Sequence, residues 1–508
     1  MKFYILLIIW LFSFKINAQQ VYFNHIYPLN YAVTNATGIV QKGDFYYAAG
    51  VGYVNYGSNQ KAIIYKLNSN GQLIDSVSFK PINTYIVSFP RNIETTKDGI
   101  VLNYNIVLDR AGPQNTDTMQ AVLIKIDTNL NIKWIRYYTD TLFVSPNDTV
   151  SRFSINNMST TYDGGQISIG ALNNLITFNK MLIMKTDSIG NAEWIKYPSS
   201  TRNSYAIKQT LDSGYAYISQ GNNGTVVYKL GNTGAVLWTT TVLPLTPPLY
   251  QYSAHDIDIS PSGDIVCGLN QIYDNDTYKQ KIHIWKINGL DGQIIWDKEY
   301  FFRWTVDNIY ISQNTAQSLN VLNDGSIVWA GHTLDAGGYG GIMKFNSNGD
   351  SLWSRMLQHG GLDSNTFFWG IWDLEPTSDN GFVICGQQVD YGTGTNTTAW
   401  VVKLDSMGCD IPGCETVSIA RALRQFSSLE VYPNPAIDYI NIKIPKQYRH
   451  QNNKIVVYDL KAIKVSEIEV PKNKEFIRLN INHFPTGSYY LQFLSNAKFV
   501  ANGNFIKQ

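Results

Sequence analysis

Seven histidines, His25, His255, His283, His332, His359, His450 and His483, are scattered along the chain, and no two stand at metal-ligand spacing. The densest carboxylates are Asp256-Ile257-Asp258 and Asp274-Asn275-Asp276. Neither lies in a loop with the glycine and distal Glu that a calcium site needs, so both are read as turn or strand-edge groups. No Gly-x-Ser-x-Gly elbow and no phosphate-binding loop is present. A general acid and base built from two carboxylates carries no spacing signature of its own, so spacing alone leaves that chemistry open. The expectation is therefore a chain with no catalytic motif, no metal and no cofactor. Cys409 and Cys414 are close enough to form a disulfide in an oxidising compartment. Cys267 and Cys385 stand where equivalent segments carry Ala49 and Ala330, which marks a small packing slot and inert thiols.

Aromatic rings offer more than ions do. The chain holds 33 Tyr, 22 Phe and 12 Trp, and several segments that read as loops are dense in them. These are Tyr85 to Pro90, Leu243 to Tyr252, Phe301-Phe302-Arg303-Trp304 with Tyr310, and Phe367-Phe368-Trp369 with Trp372. Trp304, Phe368, Trp369 and Trp372 form a candidate ligand face that could stack sugars or grip a protein partner. The competing reading has the same rings plugging loops against a sheet. Lys plus Arg (40) nearly balances Asp plus Glu (39), and 16% of residues are charged. That composition carries no signature of a nucleic-acid or anionic-membrane partner.

The elements that position these rings follow from punctuation and repetition. Met1-Lys2, an apolar run from Phe3 to Phe14 and Ile16-Asn17-Ala18 before Gln19 read as a signal peptide spanning 1–18. From there a pattern recurs: a strand ending in Lys, an Asp- or Asn-rich turn, usually Gly, then Trp and another strand. Its lysines are Lys66, Lys125, Lys185, Lys229, Lys286, Lys344 and Lys403, spaced 59, 60, 44, 57, 58 and 59 apart. Tryptophan follows at Trp134, Trp194, Trp238, Trp296 and Trp353. A second turn precedes each lysine, as at Asp98-Gly99, Asp163-Gly164, Asp212-Ser213-Gly214 and Asp379-Asn380-Gly381. Each period thus holds four strands, and a lone four-stranded sheet cannot bury both faces. The expected fold is all-β: a seven-bladed β-propeller over residues 19–414.

The seventh copy lacks the Trp and runs into Cys409 to Cys414. Val21 to Pro28 resembles the post-Trp strands, so the mature N-terminus is expected to complete the last blade and remove its open edge. Two copies depart from the pattern: Asp75 replaces Trp, and Leu130 stands at a Gly position, with Asn129 and Asn131 expected to absorb the dihedral. The Lys-x-Asp-x-x-Gly-x-x-x-Trp repeat resembles the Trp-docked propellers of the quinoprotein-like superfamily over about three quarters of the chain. Quinone-dependent members carry a vicinal cysteine pair. This chain has none, which argues against pyrroloquinoline quinone.

Residues 415–428 read as a linker, and residues 429–508 as a small β-sandwich richer in Lys and Ile. Its Val431-Tyr432-Pro433-Asn434-Pro435-Ala436, Val457-Tyr458-Asp459-Leu460, Pro485-Thr486-Gly487-Ser488-Tyr489-Tyr490 and Gly503 to Lys507 resemble the type A sorting domain of the Bacteroidota type IX secretion system. On that resemblance Tyr432, Pro433, Asn434, Pro435, Gly487 and Tyr489 carry the sorting signal. It implies handling by the type IX machinery, then release or outer-membrane anchoring at the cell surface. The expected function is a binding or adhesion scaffold for glycan or protein. A secreted polysaccharide hydrolase or lyase, or a structural surface-layer component, are the alternatives.

Overall fold

The computed structural model describes residues 22–29, 31, 33–53, 60–80, 86–87, 92–107, 119–139, 151–174, 180–198, 201–221, 224–244, 252–273, 276–300, 304–306, 309–311, 314–333, 338–359, 367–391, 396–411, 427–459, 464–496 and 498–508. The chain divides into two units, Met1–Pro412 and Gly413–Gln508. Among the described residues both are all-β, apart from a single 3-10 turn at Lys446–Tyr448.

In the first unit each sequence repeat folds as an antiparallel meander. Thr201–Gln209, Tyr215–Gly221, Gly224–Leu230 and Val236–Pro244 make one four-stranded sheet in chain order. Tyr252–Ile259, Ile265–Tyr273, Asp276–Ile287 and Ile294–Tyr300 make the next, and Asn314–Val321, Ile327–Thr333, Gly340–Phe345 and Ser351–Leu357 the one after. The last repeat supplies Phe367–Pro376, Phe382–Asp390 and Asn396–Leu404. Its outer neighbour comes from the other end of the chain: Phe23–Tyr27 pairs antiparallel with it, Phe23 opposite Lys403.

In four repeats the punctuating lysine is a tie within its own sheet. Lys185, Lys229 and Lys403 are almost fully buried, and each Nζ lies 2.8 Å from the carboxylate of the preceding Asp-Gly turn, at Asp163, Asp212 and Asp379 respectively. Lys125 does the same to Asp98 at 2.7 Å. The Lys125 hydrogen bond, followed by that of Lys133, holds the Asp98 carboxyl well below the usual carboxylate range. A buried ammonium needs such a partner, which explains why a lysine closes a strand that otherwise reads as core.

Apolar side chains from facing sheets fill the gaps between them. Ile169 and Ile183 of one sheet meet Ile207 and Tyr217 of the next, and Val266 and Ile284 meet Leu319 and Trp329. The same mixing joins the last repeat to the first, where Val383, Cys385 and Val401 pack with Ile39, Tyr46 and Ile63. Cys267 and Cys385 are buried with free thiols. Burial pushes the Cys267 thiol up to about 12, in keeping with the inert packing role expected of it.

Each repeat tryptophan reaches the glycine turn of the following repeat. A Cβ added at Gly190 would lie 2.9 Å from the Trp134 ring, one at Gly234 3.0 Å from Trp194, and one at Gly292 2.7 Å from Trp238. These glycines also hold φ of 80°, 74° and 75°, where a side chain is strained. The two departures in sequence turn out to be one. Asp75 occupies the tryptophan register opposite Lys66, and the turn it would have covered is that of Leu130. With no indole above it the turn accommodates a side chain, and Leu130 itself carries φ 65°. Asn129 and Asn131 do not absorb that dihedral. Their backbone N–H groups donate to Asp127 Oδ1. Tyr47 Oη and Lys66 Nζ donate to Thr128 O instead, at 2.8 and 2.7 Å.

The second unit is a sandwich of two sheets. The larger takes Ser427–Ser428, Lys498–Lys507, Gly487–Ser495, Asn453–Asp459 and Lys464–Val470, and the smaller takes Val431–Tyr432, Tyr439–Lys443 and Phe476–Asn480. Ile440, Ile442, Ile455, Val457, Leu491, Phe493 and Phe505 fill the space between.

Candidate functional site

The first strands of four repeats carry charge, and Asp256 and Asp258, expected to be turn or strand-edge groups, are among it. Thr201–Gln209 presents Lys208, Ile93–Thr96 Glu94, Tyr252–Ile259 Asp256 and Asp258, and Phe367–Pro376 Asp373 and Glu375. Lys208 Nζ lies 3.6 Å from Glu94 Oε1. The two side chains remain 31% and 22% exposed.

Three of the acids have a structural task. Asp256 and Asp258 accept the backbone N–H groups of Leu319 and Val321 at 2.8 and 2.7 Å. Asp373 accepts that of Ile39 at 2.9 Å, 334 residues away in sequence, and the Ser318 hydroxyl at 3.0 Å. Asn157 and Asn92 do the same for Ile207 and Met158, at 3.1 and 3.2 Å. A first strand is an edge, and an edge with open N–H groups needs acceptors. Side chains from the neighbouring repeat supply them. A β-bulge just ahead of Asn157, Asp256, Ser318 and Asp373 turns these residues toward that neighbour. Glu94 is likewise held by the backbone of Thr160, and among the described residues Glu375 has no such bond and faces the charges of Glu94, Asp373 and Lys208.

Burial dominates the electrostatics. It raises Glu375 to about 8, with repulsion from Glu94 and Asp373 adding to it. It raises Asp256 to about 7 against the attraction of Lys208, and Asp373 to about 6 against its hydrogen bonds. Glu94 and Asp258 shift upward for the same cause, while attraction to Glu94, foremost, holds Lys208 charged. Each raised carboxyl binds its proton more tightly folded than unfolded. The stability this gives is complete below the unfolded value and is lost as pH rises through the folded one. The imidazole of His332 is lowered by burial to about 4 and works the other way, but only below the ordinary histidine range. Between pH 7 and 8.5 the acids act alone. The melting temperature is therefore expected to fall across that interval, with stability lost at roughly 1 to 2 kcal/mol per pH unit. Glu375→Gln should flatten the slope in a pH series of thermal melts, and an unchanged slope would show that Glu375 ionises normally.

The sequence held a usable signal for this cluster. Counted back four residues from the second-turn Asp or its equivalent, the second to seventh repeats read Glu94, Ser159, Lys208, Asp258, Asn320 and Glu375. Counted back six they read Asn92, Asn157, Ala206, Asp256, Ser318 and Asp373. Aligning the repeats on that turn, not on the Trp, brings out two polar columns.

The predicted aromatic face is divided. Trp369 is not a surface ring: it is 2% exposed and packs against Trp400 at 5.2 Å, because its strand turns that side chain into the core between sheets. Phe368 and Trp372 are half-buried and hold the His332 imidazole edge-on at 5.2 and 5.4 Å. The Trp304 side chain, Phe301 to Arg303 and most of Tyr85 to Pro90 and Leu243 to Tyr252 lie outside the described residues. Of the proposed disulfide pair, Cys409 is buried, and Cys414 lies outside the described residues.

In the second unit the predicted sorting residues meet across the chain ends. Asn434 Oδ1 accepts the Ile506 N–H at 2.9 Å, Asn434 Nδ2 donates to Asn504 O at 3.3 Å, and the Ala436 N–H donates to Ile506 O at 2.8 Å. The Tyr-Pro-Asn-Pro segment is thus a clip on the last strand. Tyr489 is buried, stacks on Phe505 at 5.2 Å and donates its hydroxyl to Pro485 O at 2.6 Å, while Gly487 opens that strand. Tyr432, Pro433 and Pro435 face outward.

The chain is similar to several solved propellers. One is a quinohemoprotein alcohol dehydrogenase from Pseudomonas putida, 9% identical over 77% of this chain and 76% of that one, TM-score 0.43. Another is a family PL25 ulvan lyase, 10% identical over 77% and 99%, TM-score 0.43. A third is the β-propeller domain of the Trilobed protease from Pyrococcus furiosus, 11% identical over 74% and 99%, TM-score 0.40. No curated protein matches the chain. Residues 430–508 match the family described as secretion system C-terminal sorting domain, and with its clip and terminal strand this segment is a type IX sorting domain that marks the chain for export to the cell surface or the medium.

Proposed function

We propose that the chain is an exported seven-bladed propeller, closed by its own mature N-terminus, that serves as a binding scaffold for a glycan or protein ligand. Closure is supported by the Phe23–Tyr27 pairing and by the Ile39 to Asp373 bond between first and last repeats. In this reading the Cys409–Cys414 disulfide pins the chain where it leaves the ring, and the exported protein is released or anchored at the outer membrane.

The observation that carries the binding reading is the half-open charged cluster of Lys208 and Glu94 with Glu375, because such groups are costly to hold together and Glu375 caps no backbone of a neighbouring sheet among the described residues. The strand with Glu375 also presents Phe368 and Trp372, so charge and rings lie along one element. Lys208→Met and Trp372→Ala, in the mature chain, are each expected to weaken binding about tenfold on a glycan and surface-protein array. Equal binding by both variants would remove the ligand from this site.

A second reading, a secreted polysaccharide hydrolase or lyase, is favoured by Glu375 and Asp256, whose raised values suit proton transfer near neutral pH. Incubating acidic and neutral polysaccharides with the mature chain and with Glu375→Gln separates the two. Depolymerisation that the variant abolishes establishes the enzyme, and binding without depolymerisation retains the scaffold.

A further inference from the structure

The outer face of the smaller sheet in the sorting domain is built unlike that of the larger. Strand register places Tyr432 opposite Asn441 and Asn441 opposite Arg478, with Tyr439 opposite Asn480 and Lys443 opposite Phe476. Directly opposed residues share a face, so these side chains stand together while Ile440, Ile442 and Leu479 point into the core. Tyr432 and Phe476 are each 40% exposed and meet edge-to-face at 6.1 Å. Beside them Arg478 lies over the Tyr439 ring, 3.4 Å from its centroid, on the wall of a depression of about 570 Å3 bordered by Asp438, Asn480 and Asn482.

The charges differ as well. On the larger sheet Lys454 and Lys464 are neutralised by Glu467 and Glu469. At the smaller sheet Lys443 pairs with Glu430 and Arg449 with Glu475, and Arg478 has no ion-pair partner among the described residues. Residues 430–508 hold 11 Lys and Arg against 6 Asp and Glu, while the rest of the chain holds 29 against 33. An exposed pair of rings beside a guanidinium that stacks on Tyr439 and has no ion-pair partner among the described residues is the composition of an interface centre, with Arg preformed to take a carboxylate.

We infer that the face formed by Tyr432, Tyr439, Phe476 and Arg478 is the surface by which the export machinery holds this domain, and that the partner surface presents a carboxylate to Arg478 and an apolar slot to Phe476. This rests on the reading of residues 430–508 as an export signal. It also gives Tyr432 a role distinct from that of Asn434: Asn434 holds the last strand in place, and Tyr432 is available to a partner.

The test uses the full chain in the cells that secrete it, comparing cell-retained and exported protein by immunoblot. Arg478→Glu and Phe476→Ser are expected to lower export about tenfold or more, as loss of an interface anchor does, with melting temperature unchanged because both side chains are on the surface. Arg478→Lys, which keeps the cation, should retain most export. Tyr490→Ser and Ile506→Ser on the larger sheet should leave it unchanged. Normal export of Arg478→Glu and Phe476→Ser, or a block confined to the Tyr490 and Ile506 variants, overturns the inference. Deleting residues 430–508 tests the export signal separately: a deleted chain that still reaches the medium would overturn that underlying reading instead.

Discussion

A chain shortened to begin at Pro28 is expected to melt on the order of 10 °C below one that begins at Gln19, the largest stability loss that removing so few residues should produce. Phe23 and Tyr27 are 5% and 7% exposed, and deleting buried rings of this size costs about 3 to 5 kcal/mol each. Tyr27 also donates its hydroxyl to Gly71 O at 2.7 Å, and Asn24 donates to Gln358 O and Asp410 while accepting the Trp400 indole N–H. Gly71 lies in the first repeat, Trp400 and Asp410 in or just after the last, and Gln358 in the one before it, so losing the strand exposes the edge of Asn396–Leu404 and removes ties to three repeats at once. Exposed edges template association. Light scattering should therefore show aggregation in the shortened chain at concentrations where the intact chain stays clear. Adding residues 19–27 back as a synthetic peptide is expected to restore part of the melting temperature, because an unpaired strand site remains. A shortened chain that melts with the intact one would mean that the N-terminal strand is an ornament on an already complete sheet.

The repeat made most of the fold legible. Lys and Trp at fixed offsets located the third and fourth strands, and Gly in the turns located their reversals, since each is a local requirement of a hairpin or a docking contact. That Phe23–Tyr27 is a strand was also legible, through the likeness of Val21 to Pro28 to the post-Trp strands. Its register was not: only pairing shows that Phe23 takes the position opposite Lys403 that Trp134 takes opposite Lys125. The charged cluster escaped because its members are far apart in sequence and each looks like an ordinary strand carboxylate or lysine. What joins Glu94, Lys208 and Glu375 is their common place on first strands, a property of the packed sheets and not of any one segment. Trp369 escaped for the opposite reason. A run of three aromatic residues looks like a loop, but the strand alternation from Phe367 sends one of them into the core.

Gly190→Leu is expected to destabilise the first unit by about 3 kcal/mol, and Trp134→Asp should relieve part of that loss where it would ordinarily add to it. The glycine holds φ 80°, which costs a side chain about 1 kcal/mol, and its Cβ would come within 2.7 Å of the Arg136 side chain and 2.9 Å of the Trp134 ring. Overpacking against a ring that cannot move far adds about 1 to 3 kcal/mol. The protein already contains the compensated version of this joint. Asp75 leaves the space above the turn open, and Leu130 enters it at φ 65° and is 6% exposed among Tyr47, Ile64 and Val122. The double variant copies that arrangement one joint further along, so the cycle of two single variants and one double should give a favourable coupling of about 1 to 2 kcal/mol in chemical denaturation. The reverse change, Leu130→Gly, removes strain but leaves a cavity, and the cavity should win by about 1 to 2 kcal/mol because the leucine is almost wholly buried. Additive single effects at Trp134 and Gly190 would mean that the indole and the turn do not press on each other, and the shared absence of Trp at 75 and Gly at 130 would then have no packing cause.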